Sequence, residues 1–246
     1  MNRAFLAVLL FCVACAPSRA QQPDPEIVSY INSIKAIDNH AHVTALDRAH
    51  DEGYDQLRCD GLTSTSVLPP ANLRFGPDQQ AAYKTLYGFD AKTGDEAEMK
   101  KVKELETAAR QEHGADFYAW VMDKAGVETV LANRTSMAQG MKTPRLRWVA
   151  YEDALLFPLS NSQQKAVNPD RSVFYGYAED LLLTYLEGAG MSHIPPTLDT
   201  YVEQVVRATL QKQKNAGAVA VKFEAAYLRA LDFAPASKDE AARVYA

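Results

Sequence analysis

Apolar residues along this chain follow two spacings, one typical of helices and one typical of strands. After Pro23-Asp-Pro25, apolar residues recur every three or four positions from Ile27 to Ile34, and this spacing predicts a helix over residues 26–35. Similar patterns predict helices over residues 79–87, 95–112, 115–125, 178–187, 198–215 and 238–246. Short apolar runs predict four strands, which end at His40, at residue 132, at residue 151 and at Lys222.

The predicted strands alternate with helical segments, and this order favours an α/β fold built from parallel βαβ units. A closed barrel of this kind needs eight strands, so the four strands predict the first half of a TIM-type (β/α)8 barrel. Residues 43–77 contain Gly61 and Pro69-Pro70, and we expect this long loop to be a functional insertion over one face. Residues 21–246 are thus expected to form one barrel domain that is incomplete at its C-terminus.

The first 20 residues have the order of a secretory signal peptide. Asn2-Arg3 supplies positive charge, residues 4–16 are apolar, and Ser18-Arg19-Ala20 provides the small residues of a cleavage site. One alternative is an uncleaved membrane anchor, although a spanning helix needs roughly 20 apolar residues. A second is a lipoprotein signal that ends at Cys15. We expect cleavage after Ala20, a secreted or periplasmic protein and no membrane span in the mature chain.

Composition narrows the functional classes. The chain of 246 residues is 47% hydrophobic and 23% charged, as in ordinary globular proteins, and its formal net charge of -5 gives no basic surplus for a nucleic-acid partner. Once residues 1–20 are removed, Cys59 is the remaining cysteine, so an internal disulfide and a thiolate zinc site are both excluded. Any metal would be held by histidine, carboxylate or a modified lysine.

The segment Ala36-Ile-Asp-Asn-His40-Ala-His42 places two histidines at the end of the first predicted strand. Because side chains alternate across a strand, His40 and His42 are expected to point to the same side and to bind one metal ion together. In a parallel barrel the C-terminal ends of the strands form the active site, and both histidines fall at such an end. The alternative is a chance pair on a half-buried strand or loop.

Lys222 ends the fourth predicted strand, after the apolar run Ala218-Val-Ala-Val221. Burial favours the neutral form of a lysine amine, and a neutral amine can react with carbon dioxide to give a carbamate. Such a carbamate is an anionic oxygen ligand that can bridge two metals. The alternative is an unmodified Lys222 that reaches solvent or pairs with Glu224.

These features resemble the amidohydrolase superfamily, whose metal-dependent barrels close strand one with His-x-His and strand four with a carbamylated Lys or a Glu. Four other segments are similar to the amidohydrolase-related branch of secreted bacterial proteins. These segments are Ala132-Asn-Arg134, Leu146-Arg-Trp148, Asp153-Ala-Leu-Leu-Phe-Pro158 and Val221-Lys-Phe-Glu-Ala-Ala-Tyr-Leu-Arg229. The resemblance covers nearly all of the mature chain.

The resemblance implies one or two divalent metal ions, with zinc expected. His40 and His42 would hold one ion, Lys222 would bridge to a second if carbamylated, and the metal would activate a water. The family's further histidines and its general-base aspartate would lie beyond Ala246, so the sequence as given identifies no catalytic base.

Three residues near the predicted strand ends are candidates for binding a substrate carboxylate. Arg134 lies at the exit of the second strand, and Tyr227 and Arg229 follow the fourth. A guanidinium matches the geometry of a carboxylate. The alternative for each is a surface ion pair or a packed phenol. Three other histidines are expected to be structural or exposed, namely His50, His113 and His193.

The sequence therefore favours a secreted, metal-dependent hydrolase that attacks an amide, ester or lactone of a small molecule with metal-activated water. One alternative is a zinc-dependent non-oxidative decarboxylase of the same branch, for which one metal and an unmodified Lys222 are expected. Another is a non-catalytic secreted binding protein on the same scaffold. The substrate and the oligomeric state are not specified by the sequence.

Overall fold

The structure is a computed structural model that describes residues 22–45, 75–138, 141 and 143–246. The predicted signal peptide and most of the predicted insertion lie outside the described residues, as do His50 and Cys59. The chain divides into two units, Met1–Lys35 and Ala36–Ala246.

The described part of the first unit contains helix α1 (Pro25–Ser33). Its start is specified locally, because the Asp24 carboxylate accepts the N–H of Glu26 at 2.8 Å and Pro25 occupies the first turn. The backbone is extended at Ile34, so the helix ends two residues before the predicted boundary.

The second unit contains four parallel strands in the order β1 (Ala36–Ala41), β2 (Val127–Arg134), β3 (Leu146–Tyr151) and β4 (Ala218–Lys222). Each strand pairs with the next strand along the chain. The predicted α/β fold with parallel strands is therefore confirmed, and closure of the sheet into an eight-stranded barrel stays a prediction.

Helical segments connect the strands. Between β1 and β2 lie α2 (Pro77–Tyr87), α3 (Glu96–His113), a 3-10 turn (Gly114–Asp116) and α4 (Phe117–Ala125). Between β3 and β4 lie α5 (Ser162–Val167), α6 (Ser172–Gly188), α7 (Leu198–Tyr201), a π-helical segment (Val202–Arg207) and α8 (Ala208–Asn215). After β4 come a 3-10 turn (Ala225–Tyr227) and α9 (Lys238–Tyr245).

The core of the second unit lies around the two central strands. One apolar cluster joins the end of β3 to α6, the π-helical segment and α9 through residues that include Tyr151, Leu181, Tyr185, Val205 and Tyr245. A second cluster joins Met122 of α4 to Val130 and Leu146 on β2 and β3. Because the four strands are parallel, their C-terminal ends lie at the same edge of the sheet.

The two outer strands expose apolar side chains. Ile37 of β1 is 65% exposed, and Val219 and Val221 of β4 are 44% and 49% exposed. In the described ranges, no helix has the length and apolar character that crossing a membrane requires.

Candidate functional site at the C-terminal edge of the sheet

His40 and His42 come together at the end of β1. His40 lies one residue before the strand ends, and His42 follows its last residue. Their Nε2 atoms are 3.1 Å apart, and their ring centroids are 5.1 Å apart. Both rings therefore lie on one side of the chain, as strand alternation predicts.

Lys222 brings a third nitrogen to the histidine pair. It is the last residue of β4, and its Nζ lies 3.0 Å from the His40 Nε2. The Glu224 Oε1 lies 3.8 Å from the same Nζ, so the pairing considered as the alternative for Lys222 is also present. The three predicted metal ligands thus meet at one point, although Lys222 lies 182 residues from His40 in sequence.

The backbone around His42 is held by side chains from neighbouring elements. Arg134 donates from Nη1 to the Val43 carbonyl at 2.6 Å, and Asn133 donates from Nδ2 to the Ala41 carbonyl at 3.3 Å. The Tyr118 hydroxyl of α4 donates to the Thr44 carbonyl. Carbonyls on both sides of His42 are therefore fixed by donors outside β1, and this restricts where its ring can lie.

The three predicted substrate-binding residues lie in different surroundings. Arg134 is fully buried, and its Nε donates to the Ser136 carbonyl at 2.9 Å. Tyr227 is 47% exposed and stacks on Phe174. The exposed Arg229 lies 3.8 Å from Asp232 and places its guanidinium over the Phe233 ring. These contacts support an anchoring role for Arg134, and substrate binding by Arg134, Tyr227 and Arg229 stays a prediction.

Two further histidines lie in other surroundings. His113, at the end of α3, stacks on Trp120 with the ring centroids 4.5 Å apart. His193 pairs its Nδ1 with the Ser192 hydroxyl at 2.7 Å. Because both are histidines with contacts of their own, they provide internal controls for substitutions at His40 and His42.

Three buried acids lie beside Lys222. Glu152, Asp153 and Glu224 are 1%, 0% and 6% exposed. The Asp153 carboxylate accepts the backbone N–H of Glu224 at 2.7 and 2.8 Å, and this joins the segments that follow β3 and β4. Burial raises the pKa of Asp153 to about 6, although the Glu224 N–H lowers it.

Glu152 is the most unusual of these acids. Neither of its carboxylate oxygens has a hydrogen-bond partner in the part of the chain that the structure describes, and the same holds for the amide oxygen and nitrogen of Gln213. Burial raises the pKa of Glu152 to about 7; the Gln213 side chain lowers it, and the charge of Asp153 raises it further. This carboxyl therefore titrates near neutral pH.

The donor atoms at this edge suit a metal ion. A tetrahedral zinc site with Zn–N bonds of about 2.0–2.1 Å separates two ligand nitrogens by about 3.3 Å. The observed separation of the two Nε2 atoms, 3.1 Å, is close to that value. Lys222 Nζ is a third nitrogen at this point. Within residues 22–45, 75–138, 141 and 143–246, no group of three His, Cys, Asp or Glu side chains could hold a metal.

No family model, curated protein or solved structure matches this chain. The amidohydrolase resemblance therefore stays a prediction from the sequence. The function is therefore inferred from the geometry of the three nitrogens, His40 Nε2, His42 Nε2 and Lys222 Nζ, and of the side chains that hold them in place.

Several residues that support the site were not predicted from the sequence to do so. Tyr151 ends β3, and its hydroxyl lies 3.2 Å from the His42 Nδ1. Glu152 and Asp153 follow that strand directly, and Asn133 stands beside Arg134 at the end of β2. All four lie at strand ends, so the rule that selected His40 and Lys222 could also have selected them.

Proposed function

We propose that this protein is a metal-dependent hydrolase that acts on an amide, ester or lactone of a small molecule. The observation that carries the proposal is the convergence of His40 Nε2, His42 Nε2 and Lys222 Nζ at the C-terminal edge of a parallel sheet. Sites of α/β enzymes lie at this edge, because the loops that follow the strands meet there.

His40 and His42 would hold the first metal ion, with zinc expected, and a carbamylated Lys222 would contribute an oxygen ligand to a second ion. The bound metal would supply a water whose pKa is lowered toward neutrality and would polarise a substrate carbonyl. Arg134, Tyr227 and Arg229 are the candidates for binding a substrate carboxylate near this edge.

The proposal includes closure of the sheet into a TIM-type barrel. Its support is the sequential order of the four parallel strands, which is the order of a (β/α)8 barrel. A secreted or periplasmic location is part of the proposal and is supported by the signal-like residues 1–20.

Zinc binding tests this proposal directly. Replacement of both His40 and His42 with Ala removes two of the three converging donors, so we expect zinc affinity to fall at least 100-fold. A chelator competition assay with the purified protein measures the affinity, and 4-nitrophenyl acetate and a simple lactone report hydrolysis. His193→Ala is the matched control, because it removes an imidazole from a turn and should leave zinc affinity unchanged.

The expected result is that zinc affinity and the rate of hydrolysis both fall in the double variant and that neither falls in His193→Ala. If the unaltered protein binds no zinc, the proposal is wrong. If it binds zinc and hydrolyses neither probe, while the double variant folds and loses the metal, metal binding stands without the hydrolase assignment. The non-catalytic binding protein is then favoured.

A second candidate is a mononuclear, zinc-dependent lyase that removes carbon dioxide from a small molecule without oxidation. The observation that favours it is the Glu224 carboxylate at 3.8 Å from the Lys222 amine, because this acid offers a partner to a protonated, unmodified lysine. Carbamylation would instead require loss of a proton from the amine before it forms a bond to carbon dioxide.

The state of Lys222 separates the two candidates. For the hydrolase we expect two zinc ions per chain and a carbamate signal in the ¹³C NMR spectrum after incubation with ¹³C-bicarbonate. Lys222→Met should abolish that signal and halve the zinc content. Lys165→Met is the control, since Lys165 pairs with Glu179 on α6 and does not contact the histidines. One zinc per chain without a carbamate signal would favour the lyase.

A further inference from the structure

Tyr151 connects the buried core to the histidine pair. It is the last residue of β3, it is fully buried, and in the sheet it lies opposite Lys222. Its hydroxyl lies 3.2 Å from the His42 Nδ1, which is the ring nitrogen that does not face His40. The opposite nitrogen of the ring, Nε2, is the one that meets the proposed ligands.

We propose that Tyr151 is a positioning residue that holds His42 in the tautomer whose Nε2 carries the lone pair for a metal. This inference rests on the metal site of the proposed function. A neutral imidazole carries one proton, so a proton on Nδ1 leaves a lone pair on Nε2. The Tyr151 oxygen accepts the Nδ1–H and thereby selects this tautomer.

The direction of the hydrogen bond decides whether the site can bind a metal. If the Tyr151 hydroxyl donated to Nδ1, the ring proton would lie on Nε2, where it would point toward His40 and block metal binding. Metal binding through Nε2 therefore requires the Tyr151 oxygen to act as the acceptor. Metal-bound histidines commonly donate their second ring N–H in this way, and such partners fix both tautomer and ring orientation.

The location of Tyr151 makes it suitable for this role. Its backbone carbonyl accepts the Tyr185 hydroxyl of α6 at 2.5 Å, and its side chain belongs to the apolar cluster of α6 and the π-helical segment. A hydroxyl on a buried strand residue keeps its position better than one on an exposed loop. The distance from Tyr151 to His42 is thus set by packing and sheet pairing together.

Tyr151→Phe tests the inference because it removes the hydroxyl and keeps the ring. We expect zinc affinity to fall about 10- to 100-fold, as for other partners of metal-binding histidines. Tyr201→Phe is the matched control: it removes a buried hydroxyl that donates to the Leu155 carbonyl at 2.9 Å instead of to a histidine, so zinc affinity should not change. Circular dichroism during heating verifies that both variants fold.

A second measurement uses the unaltered protein. In the ¹⁵N NMR spectrum of the metal-free protein, we expect His42 to show the tautomer with a protonated Nδ1, and in Tyr151→Phe we expect a mixture of tautomers. A protonated Nε2 as the major form in the unaltered protein would overturn the inference, as would equal zinc affinities for that protein and Tyr151→Phe. In that last case the metal site itself still stands, whereas failure of the unaltered protein to bind zinc overturns the proposed function as well.

Discussion

Replacing Arg134 with Met should lower the free energy of unfolding by about 3–6 kcal/mol, because at least two hydrogen bonds from a charged group, each contributing about 1.5–3 kcal/mol, are lost. The guanidinium is fully buried and donates to the carbonyls of Val43 and Ser136. Methionine retains most of the apolar stem and none of the donors. The two carbonyls would then lose these donors in the interior, which adds a desolvation cost.

The same substitution should also weaken the metal site. Val43 follows His42 directly, so loss of the donor to the Val43 carbonyl loosens the segment that positions the imidazole. We expect zinc affinity to fall roughly 10-fold, as when other supports of metal ligands are removed. The stability effect and the affinity effect therefore have one physical origin.

Urea denaturation followed by circular dichroism measures the change in unfolding free energy. Chelator competition on the folded protein without urea measures the change in zinc affinity. Arg229→Met is the matched control, since Arg229 is exposed and its ion pair with Asp232 spans 3.8 Å. A surface substitution of this kind should change the unfolding free energy by less than about 0.5 kcal/mol. Equal effects of the two substitutions would show that burial of Arg134 has no special structural role.

The four strands were predictable because each contains a short apolar run that a sheet buries or pairs. The end of β2 was not. The apolar pattern predicts an end at residue 132, but Asn133 and Arg134 continue the strand and pair with Val149 and Ala150 of β3. Backbone pairing with a neighbouring strand holds these polar residues in extended form, and an apolar pattern does not report such pairing.

The meeting of His40, His42 and Lys222 was predictable because strand alternation and strand ends can be read from the sequence. The hydrogen bonds of Arg134 were not predictable, because an arginine at a strand exit has the same sequence signature whether it binds a substrate or backbone carbonyls. Its complete burial and its bond to Val43 both depend on how distant segments pack. Tyr151 shows the same limit, since its partner His42 lies 109 residues away.

Glu152→Gln should stabilise the protein at alkaline pH much more than at acidic pH. Burial raises the pKa of Glu152 from 4.5 to about 7 in the folded state. The folded protein therefore binds more protons than the unfolded chain between these two values, and its stability falls as the pH rises from about 4.5 to about 7. A shift of this size corresponds to about 3 kcal/mol of stability lost above neutral pH.

Glutamine has nearly the shape of glutamic acid and cannot ionise, so the variant avoids this loss. We expect the variant to gain about 3 kcal/mol relative to the unaltered protein at pH 8.5 and less than about 1 kcal/mol at pH 5. The difference between the two pH values isolates the ionisation, because the burial cost of the new amide is the same at both. Urea denaturation at each pH measures it.

Glu98→Gln supplies a control of opposite sign. The Glu98 carboxylate accepts the backbone N–H groups of Lys92, Thr93 and Gly94, and these bonds lower its pKa to about 2. Its stabilising contribution is present above the unfolded pKa of 4.5 and is lost as the pH falls toward 2, so Glu98→Gln should destabilise the protein similarly at pH 8.5 and pH 5. If Glu152→Gln instead gave the same change at both pH values, the buried carboxyl would not carry a raised pKa. Glu152 would then be ionised in the folded protein at neutral pH.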